Sequence, residues 1–362
     1  MTQTSETSVS DRAFYHAQLA GGIDRFFGPR RPDCPWCGSH RLKVEVRCRE
    51  LFQRKPGKFT LDRCLTCDHR FQNPRLTGEG LNFYYRDFYD GRGAAQADEM
   101  SSYGAPANIA RAELVKRHTG PDGPRSWLDI GTGWGYFAKH AADVLPNTVF
   151  DGLDQGSGVD RALERGWLAH AYRENSFPEL ADELRGRYDV ISMHHYLEHT
   201  TEPRAELAAA AKALEPGSLL EIEMPDIECL LRHVFRSWWI PYFQPQHLNF
   251  PTVGNLLAAL VEHGFRPLEV QQAEAHQPAE LLMVAVFLMT TLAPDPSHPW
   301  LPAEAPKWQR KVNEVAWAKV FPKLISPALK ADELICRGVH KFLEHGNAYR
   351  IVAVREASEG SR

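Results

Sequence analysis

Apolar positions recur along this chain in two rhythms. From residue 126 onward, apolar runs short enough for strands alternate with stretches whose apolar residues return at helical spacing. Strands are expected at Trp127–Ile130, Val149–Asp154, Tyr188–Met193, Ser218–Met224, Phe265–Val270 and Tyr349–Val354. Helices are expected at Gln155–Gly166, closed by its glycine, at Pro203–Ala213, with Pro in its first turn and Gly217 beyond its end, and at Thr252–His263, stopped by Gly264. Such alternation implies an α/β fold: a mainly parallel sheet with helices on both faces. Ahead of it, Leu42–Arg47 and Lys58–Arg63 alternate like short strands. Behind it, Ala279–Leu292 and Lys330–Glu344 read as helices separated by a Pro-rich stretch, residues 295–306. The wholly apolar run Leu281–Met289 requires burial.

Composition narrows the class. The 362 residues, 43% apolar and 24% charged, suit a soluble globular protein of about two domains. The N-terminus has no basic start followed by an apolar block, and the longest apolar run, Ala279–Ala293, is too short to span a bilayer. A cytoplasmic protein with no membrane span is therefore expected. The net charge of −4 is unevenly spread: residues 25–75 hold 13 Lys and Arg against 5 Asp and Glu, the remainder 29 against 41. A basic module on an acidic body either meets an anionic partner or offsets buried thiolates.

Four of the seven cysteines form two C-x2-C pairs, Cys34/Cys37 and Cys64/Cys67, with 26 residues between them. Two such turns bring four thiolates around one ion, and Gly38 follows the first pair where a tight turn favours it. We read residues 26–76 as a zinc ribbon with a structural Zn2+, since four Cys ligands leave no open coordination position. His40 and His69 lie near enough to replace one ligand. Cys48, Cys229 and Cys336 have no partner spacing and read as ordinary thiols.

The strand Trp127–Ile130 runs into Gly131-Thr-Gly-Trp-Gly135, with Asp129 two residues ahead of the first glycine. The spacing is G-x-G-x-G, because Tyr136 stands where a dinucleotide fingerprint has glycine. An acid before the loop repels a pyrophosphate and suits a cationic ligand such as S-adenosylmethionine, which carries an ammonium and a sulfonium. Asp154, at the end of the next strand and 23 residues after Gly131, stands where a carboxylate accepts ribose hydroxyls. Alone, a strand-end Asp is more often a helix cap.

Together LDIGTGWGYF, FDGLDQG and YDVISMHHYLEHTTEP resemble the successive motifs of class I S-adenosylmethionine-dependent methyltransferases. The stretch FRSWWIPYFQPQHLNFPTVGNLLAALVEHGF is similar to a bacterial small-molecule or sugar methyltransferase subgroup whose members often carry an N-terminal Cys-pair zinc module and an aromatic segment like Leu81–Tyr89. The resemblance spans roughly residues 30–270 and the last strand. It implies a Rossmann-like seven-stranded sheet whose final strand is antiparallel. It also implies methyl transfer, with Asp129, Gly131, Gly133 and Gly135 at the donor's amino-acid portion and Asp154 at its ribose. Thr132, Gln155 and His194 complete the expected donor site. The acid that often binds the adenine amine has no clear counterpart here; Glu174, Asn175 and Ser176 contend for it.

For the acceptor, a hydroxyl needs a base within hydrogen-bond reach. His199 and His247 are the candidates, with Glu198 or Glu223 orienting one of them; among 16 His in the chain, packing or surface roles compete. Trp238, Trp239, Tyr242 and Phe243 lie in an aromatic, Pro-containing segment that reads as a wall of the acceptor pocket or as packed loop core. The expected division is an N-terminal tail (1–25), the ribbon (26–76), an aromatic and helical connector (77–120), the methyltransferase core (121–275), a helical insertion that covers the acceptor or makes a homodimer contact (276–347), and the last strand with a tail (348–362). The tails, residues 1–10 and 355–362, read as mobile. Three functions compete: methylation of a small molecule, sugar or biosynthetic intermediate, at O or C and either free or displayed on a carrier; RNA modification with the ribbon gripping nucleic acid; and a binding protein that kept the fold without turnover.

Overall fold

Seven strands form the main sheet of the computed structural model, which describes residues 9–86, 93–174, 176–273, 278–294, 298–301 and 306–357. Three strands precede it in the chain: β1 (Leu42–Cys48), β2 (Phe59–Cys64) and β3 (Arg70–Gln72). The seven are β4 (Ser126–Ile130), β5 (Val149–Leu153), β6 (His170–Tyr172), β7 (Val190–His194), β8 (Leu219–Pro225), β10 (Phe265–Gln271) and β11 (Ala348–Arg355). A two-residue strand, β9 (Asn249–Phe250), intervenes. The sheet order is β10–β11–β8–β7–β4–β5–β6. Its pairings from β8 to β6 are parallel, and β11 runs antiparallel between β8 and β10. Strands β7 and β8 are buried along their whole length, as central strands covered on both faces must be. One face packs on Leu207, Ala210, Leu256 and Leu260, the other on Leu114, Phe137, Ala141 and Val159. Every strand expected from the pattern is present, and the expected antiparallel last strand is β11.

The cysteine-bearing region makes a second sheet, β1–β2–β3–β9, antiparallel throughout. Its fourth strand comes from the core, so the ribbon is woven into the larger domain rather than appended to it. Asn249 seals this join: its side chain donates to Thr200 O at 2.6 Å, and its Oδ1 lies 3.3 Å from His69 Nε2.

Three expectations need correction. Of the segment expected as an N-terminal tail, Val9–Ala20 is a helix, and Tyr15 is fully buried against Phe83 and Trp300. A single buried aromatic docked on distant rings leaves no periodic signature. The second insertion helix begins well before Lys330: residues Lys307–Leu343 are helical throughout, with π-type turns at Ala316–Val320 and Asp332–Cys336. The apolar helix Glu280–Leu292 is only partly covered, leaving Leu288 and Leu292 exposed. Parts of the Pro-rich stretch, of both tails and of the Leu81–Tyr89 segment lie outside the described residues, as does Asn175.

Candidate functional site

The glycine loop follows β4 into the helix Tyr136–Val144. Gly131, Gly133 and Gly135 all have left-handed φ (74°, 55° and 72°), which L side chains rarely adopt. Their surroundings differ. A Cβ on Gly131 would fall 2.7 Å from the Tyr196 ring, and one on Gly135 2.4 Å from Ala162 Cβ, whereas one on Gly133 meets nothing within 4 Å. Two glycines permit close packing and the middle one faces open space. Thr132 is buried above Gly152.

That space is a cavity of about 630 Å3 at the carboxyl ends of β4 and β5. Its lining includes Gly131, Gly133, Trp134, Leu153, Asp154, Gln155 and Glu174 together with Tyr85, Arg86, His195, Tyr196 and His199. Asp154 braces the glycine loop: Oδ2 accepts from Gly133 N–H at 2.9 Å and Oδ1 from Gly156 N–H at 2.7 Å. Of the expected donor-site residues, Gly131, Gly133, Asp154 and Gln155 thus line one cavity.

Asp129 and His194 do not line it; they sit beneath the loop in a buried polar belt. Trp127 Nε1 donates to Ser192 Oγ, which donates to Asp129 Oδ1 at 2.6 Å. His194 lies between Asp129 Oδ1 (3.3 Å) and Glu221 Oε2 (2.9 Å). Burial opposes its charge, but Glu221 and Asp129 together outweigh it and the pKa rises. Glu223, wholly buried, takes Arg111 Nη2 on Oε1 (2.6 Å) and Arg350 Nε on Oε2 (2.7 Å). Cross-strand register sets Asp129, Ser192 and Glu221 in one row and His194, Glu223 and Arg350 in the next.

The two carboxylates expected to orient His199 or His247 converge instead on His195. Its Nδ1 lies 3.0 Å from Glu198 Oε1 and its Nε2 3.0 Å from Glu223 Oε1. Burial alone would lower the His195 pKa, but these hydrogen bonds carry it up to about 9, and His195 in turn holds Glu198 below the usual carboxylate range despite burial. His195 is therefore an imidazolium at neutral pH, half-buried on the cavity wall, with a left-handed φ of 50°. It is the site residue that sequence reading missed. The available signal was its position three residues before Glu198, one helical turn away.

His199 also reaches the cavity. Its Nδ1 donates to Gln246 O at 3.0 Å, which puts the lone pair on Nε2, and burial lowers its pKa. His247 stands edge-on to it with ring centroids 4.6 Å apart. It is buried, its pKa is pushed down to about 3 by burial and by His199, and it does not line the cavity. Donor atoms of Glu198, His199 and His247 lie within 4.8 Å of one another, a set that can also hold a divalent cation. Trp239 and Tyr242 pack with Cys48, Leu61 and Phe250, and Phe243 packs on Phe52 and His247; with Trp238, none lines the large cavity. The aromatic segment is a seam between ribbon and core.

In the ribbon the four sulfurs of Cys34, Cys37, Cys64 and Cys67 lie within 4.8 Å of one another, with Cys34–Cys67 at 3.7 Å and Cys37–Cys64 at 3.6 Å. A tetrahedron with Zn–S of about 2.3 Å has edges of about 3.8 Å, so the donor set fits zinc; a disulfide would need about 2.05 Å. The two turns repeat each other: Trp36 N–H and Thr66 N–H face Cys34 and Cys64 sulfur at 3.4 Å, and Gly38 and Asp68 both have left-handed φ. His69 instead packs on Trp36 and Phe71 and reaches Asn249, and His40 Nδ1 reaches Pro32 O.

Residues 103–270 match the sequence model of the family described as Methyltransferase domain. The chain is 33% identical over 114 residues to a ubiquinone biosynthesis O-methyltransferase of Methylococcus capsulatus, an alignment covering 30% of this chain and 47% of that protein. It is 30% identical over 165 residues to the enzyme of the same name from Idiomarina loihiensis, covering 41% and 65%. The chain thus spans about half the length of the first of these relatives. Among solved structures, a SAM-dependent methyltransferase from Archaeoglobus fulgidus aligns at 19% identity and a TM-score of 0.42, covering 75% of this chain and 99% of that one.

Proposed function

We propose, from the match of residues 103–270 to a methyltransferase domain model and from the order of the seven-stranded sheet, that this protein transfers the methyl group of S-adenosylmethionine to a hydroxyl of a small molecule. One observation carries the reading. One cavity of about 630 Å3 is lined both by the glycine loop with Asp154 and by His195 with His199. The donor, when bound, supplies an electrophilic methyl on its sulfonium. Gly133 leaves room for its amino-acid portion, Asp154 offers acceptor oxygens for the ribose, and Glu174 is the described residue best placed for the adenine. Beneath the loop, Asp129 and His194 fix its base rather than touch the ligand. His199, neutral and with its lone pair on Nε2, takes the acceptor's proton. His195, held cationic by Glu198 and Glu223, stabilises the oxyanion that results. His247 supports His199 by packing. The names of the relatives, O-methyltransferases in ubiquinone biosynthesis, support oxygen as the acceptor atom.

The ribbon cysteines fit one structural zinc ion. Six of the thirteen basic residues in the 25–75 stretch, Arg25, Arg30, Arg31, Arg63, Arg70 and Arg75, are paired with carboxylates. Lys55 is buried with its ammonium on the carbonyls of Phe83, Tyr84 and Arg86. These pairings favour a structural role for the basic excess over a grip on nucleic acid.

The test is transfer of labelled methyl from S-adenosylmethionine to phenolic and sugar hydroxyls and to bulk RNA, offered side by side. Label on a small-molecule oxygen, lost in His199→Ala with donor binding intact, is the expected result. Label in RNA overturns the acceptor assignment; full activity in His199→Ala removes the base. Removing divalent ions while all cysteine-held zinc stays bound should leave turnover intact, and a loss would assign Glu198, His199 and His247 to a metal instead.

A further inference from the structure

Cys229, Cys336 and His340 are unremarkable in the chain, yet the fold gathers them around Glu280 and Asp332 outside the cavity. All five are at most 2% exposed. Cys229 follows β8, Glu280 opens the apolar helix Glu280–Leu292, and Asp332, Cys336 and His340 lie on the helical stretch that leads back to β11. The insertion therefore meets the core at a sealed cluster of thiol, imidazole and carboxylate groups.

We propose that Cys229, Glu280 and His340 bind one divalent transition-metal ion of the zinc class, which clamps the helical insertion to the end of β8. The donor atoms of the three lie within 4.8 Å of one another. His340 Nε2 is 3.2 Å from Glu280 Oε1 and 4.0 Å from Cys229 Sγ. A tetrahedral zinc, with bonds of about 2.0–2.1 Å to N and O and about 2.3 Å to S, needs edges of roughly 3.3–3.6 Å, close to the His340–Glu280 distance and about half an ångström inside the His340–Cys229 one.

Glu280 is the observation that points to an ion. Its Oε2 accepts the Ala279 N–H at 3.0 Å, but its Oε1 is buried and lacks a hydrogen bond despite its nearness to His340. A buried carboxylate oxygen left so is costly, and a cation at this point would satisfy it. Asp332 is already engaged, accepting Leu281 N–H and Leu282 N–H at 2.8 and 2.9 Å, and so holds the helix start that carries Glu280. The fourth position lies toward Cys336, whose sulfur is within 4.8 Å of the Glu280 carboxylate. One sulfur, one nitrogen and one oxygen suit zinc rather than calcium or magnesium. Binding releases the Cys229 thiol proton to solvent and forms the metal–sulfur bond in its place.

The test is metal stoichiometry in the full chain, stripped with chelator, reloaded with zinc and desalted. The ribbon and this cluster together should retain two ions per chain. Cys229→Ala and His340→Gln should each retain one, and so should the ribbon variant Cys37→Ser. Equal zinc in wild type, Cys229→Ala and His340→Gln overturns the proposal, whether or not the ribbon is loaded. Cobalt titration of the wild type guards against misfolded variants. Two spectral classes, one with four-thiolate and one with weaker thiolate charge transfer, are expected, and the four-thiolate class alone overturns the site.

Discussion

His195 carries an unusual load for one side chain. A β-carbon at φ 50° costs on the order of 1–3 kcal/mol, and the residue is kept there by hydrogen bonds to two fully buried carboxylates. Its pKa, about 9 against an ordinary 6.5, makes a signed prediction. Stability from the raised pKa is complete below pH 6.5 and is lost as pH rises through about 9. At about 1.4 kcal/mol per unit the shift is worth about 3 kcal/mol. Denaturation midpoints should therefore fall between pH 6.5 and 9.5, and His195→Asn should flatten that slope. Activity should be bell-shaped: the alkaline limb near 9 follows His195, and the acid limb lies below 6.5 because His199 is lowered. In the loop, Gly131→Ala should cost about 1–3 kcal/mol in stability, because its Cβ meets the Tyr196 ring. Asp154→Ala should instead weaken binding of S-adenosylhomocysteine by about 1.5–3 kcal/mol, read by calorimetry, the worth of hydrogen bonds to a charged group.

Among the elements, residues 244–250 do the most joining. Gln72 N–H donates to Leu248 O at 2.8 Å and Gln72 Nε2 to Gln244 Oε1 at 2.7 Å, while Leu248 N–H donates to Glu198 O at 2.6 Å. Gln246 O receives both His199 Nδ1 and the Tyr85 hydroxyl. Residues 244–250 thus tie the ribbon, through Gln72, to the candidate base, through the Gln246 carbonyl. The capping box of helix Val253–Glu262 continues the tie, since Asn255 Nδ2 donates to Cys67 O at 2.9 Å. Asn249→Leu removes one member of this seam and leaves the Thr200 carbonyl unpaired. It should destabilise the protein by about 1–3 kcal/mol, measured by chemical denaturation, and lower kcat before donor affinity changes.

At the scale of the whole molecule, one apolar cluster joins ribbon, connector and insertion and another joins ribbon and core. Rings from the N-terminal helix, the connector and the insertion meet at Tyr15, Phe83 and Trp300, with the Lys55 ammonium among them. A metal ion held by the ribbon is therefore expected to bear on the proposed methyl transfer without touching substrate. Cys64→Ser should lose one zinc per chain, lower the thermal midpoint, and reduce turnover through the Gln246–His199 link, since metal binding to such a site is folding energy. Donor affinity should change less, because Asp154 and the glycine loop are held by each other through the Gly133 and Gly156 N–H groups. Equal losses of both would show that the ribbon supports the core as a whole rather than the acceptor wall.

How much of this was legible in the chain follows from the range of each interaction. Local period and glycine spacing determined the strands β4, β5, β7, β8, β10 and β11, the glycine loop and the ribbon's four thiols, because each is written within a few residues of itself, whereas the antiparallel course of β11 followed from the resemblance. Asp154 was legible because one strand–turn carries it into register with the loop. His194 was misplaced, and His195 overlooked, because adjacent residues on a strand end point to opposite sides, and only the partners, Glu221 below and Glu198 with Glu223 beside, tell which ring faces the cavity. The tertiary structure alone decided that two residues of the core complete the ribbon sheet, that the aromatic segment is a seam, and that Cys229, Glu280 and His340 meet. These contacts join positions dozens to more than a hundred residues apart, and their energy lies in burial and paired polar groups that leave no period in the sequence.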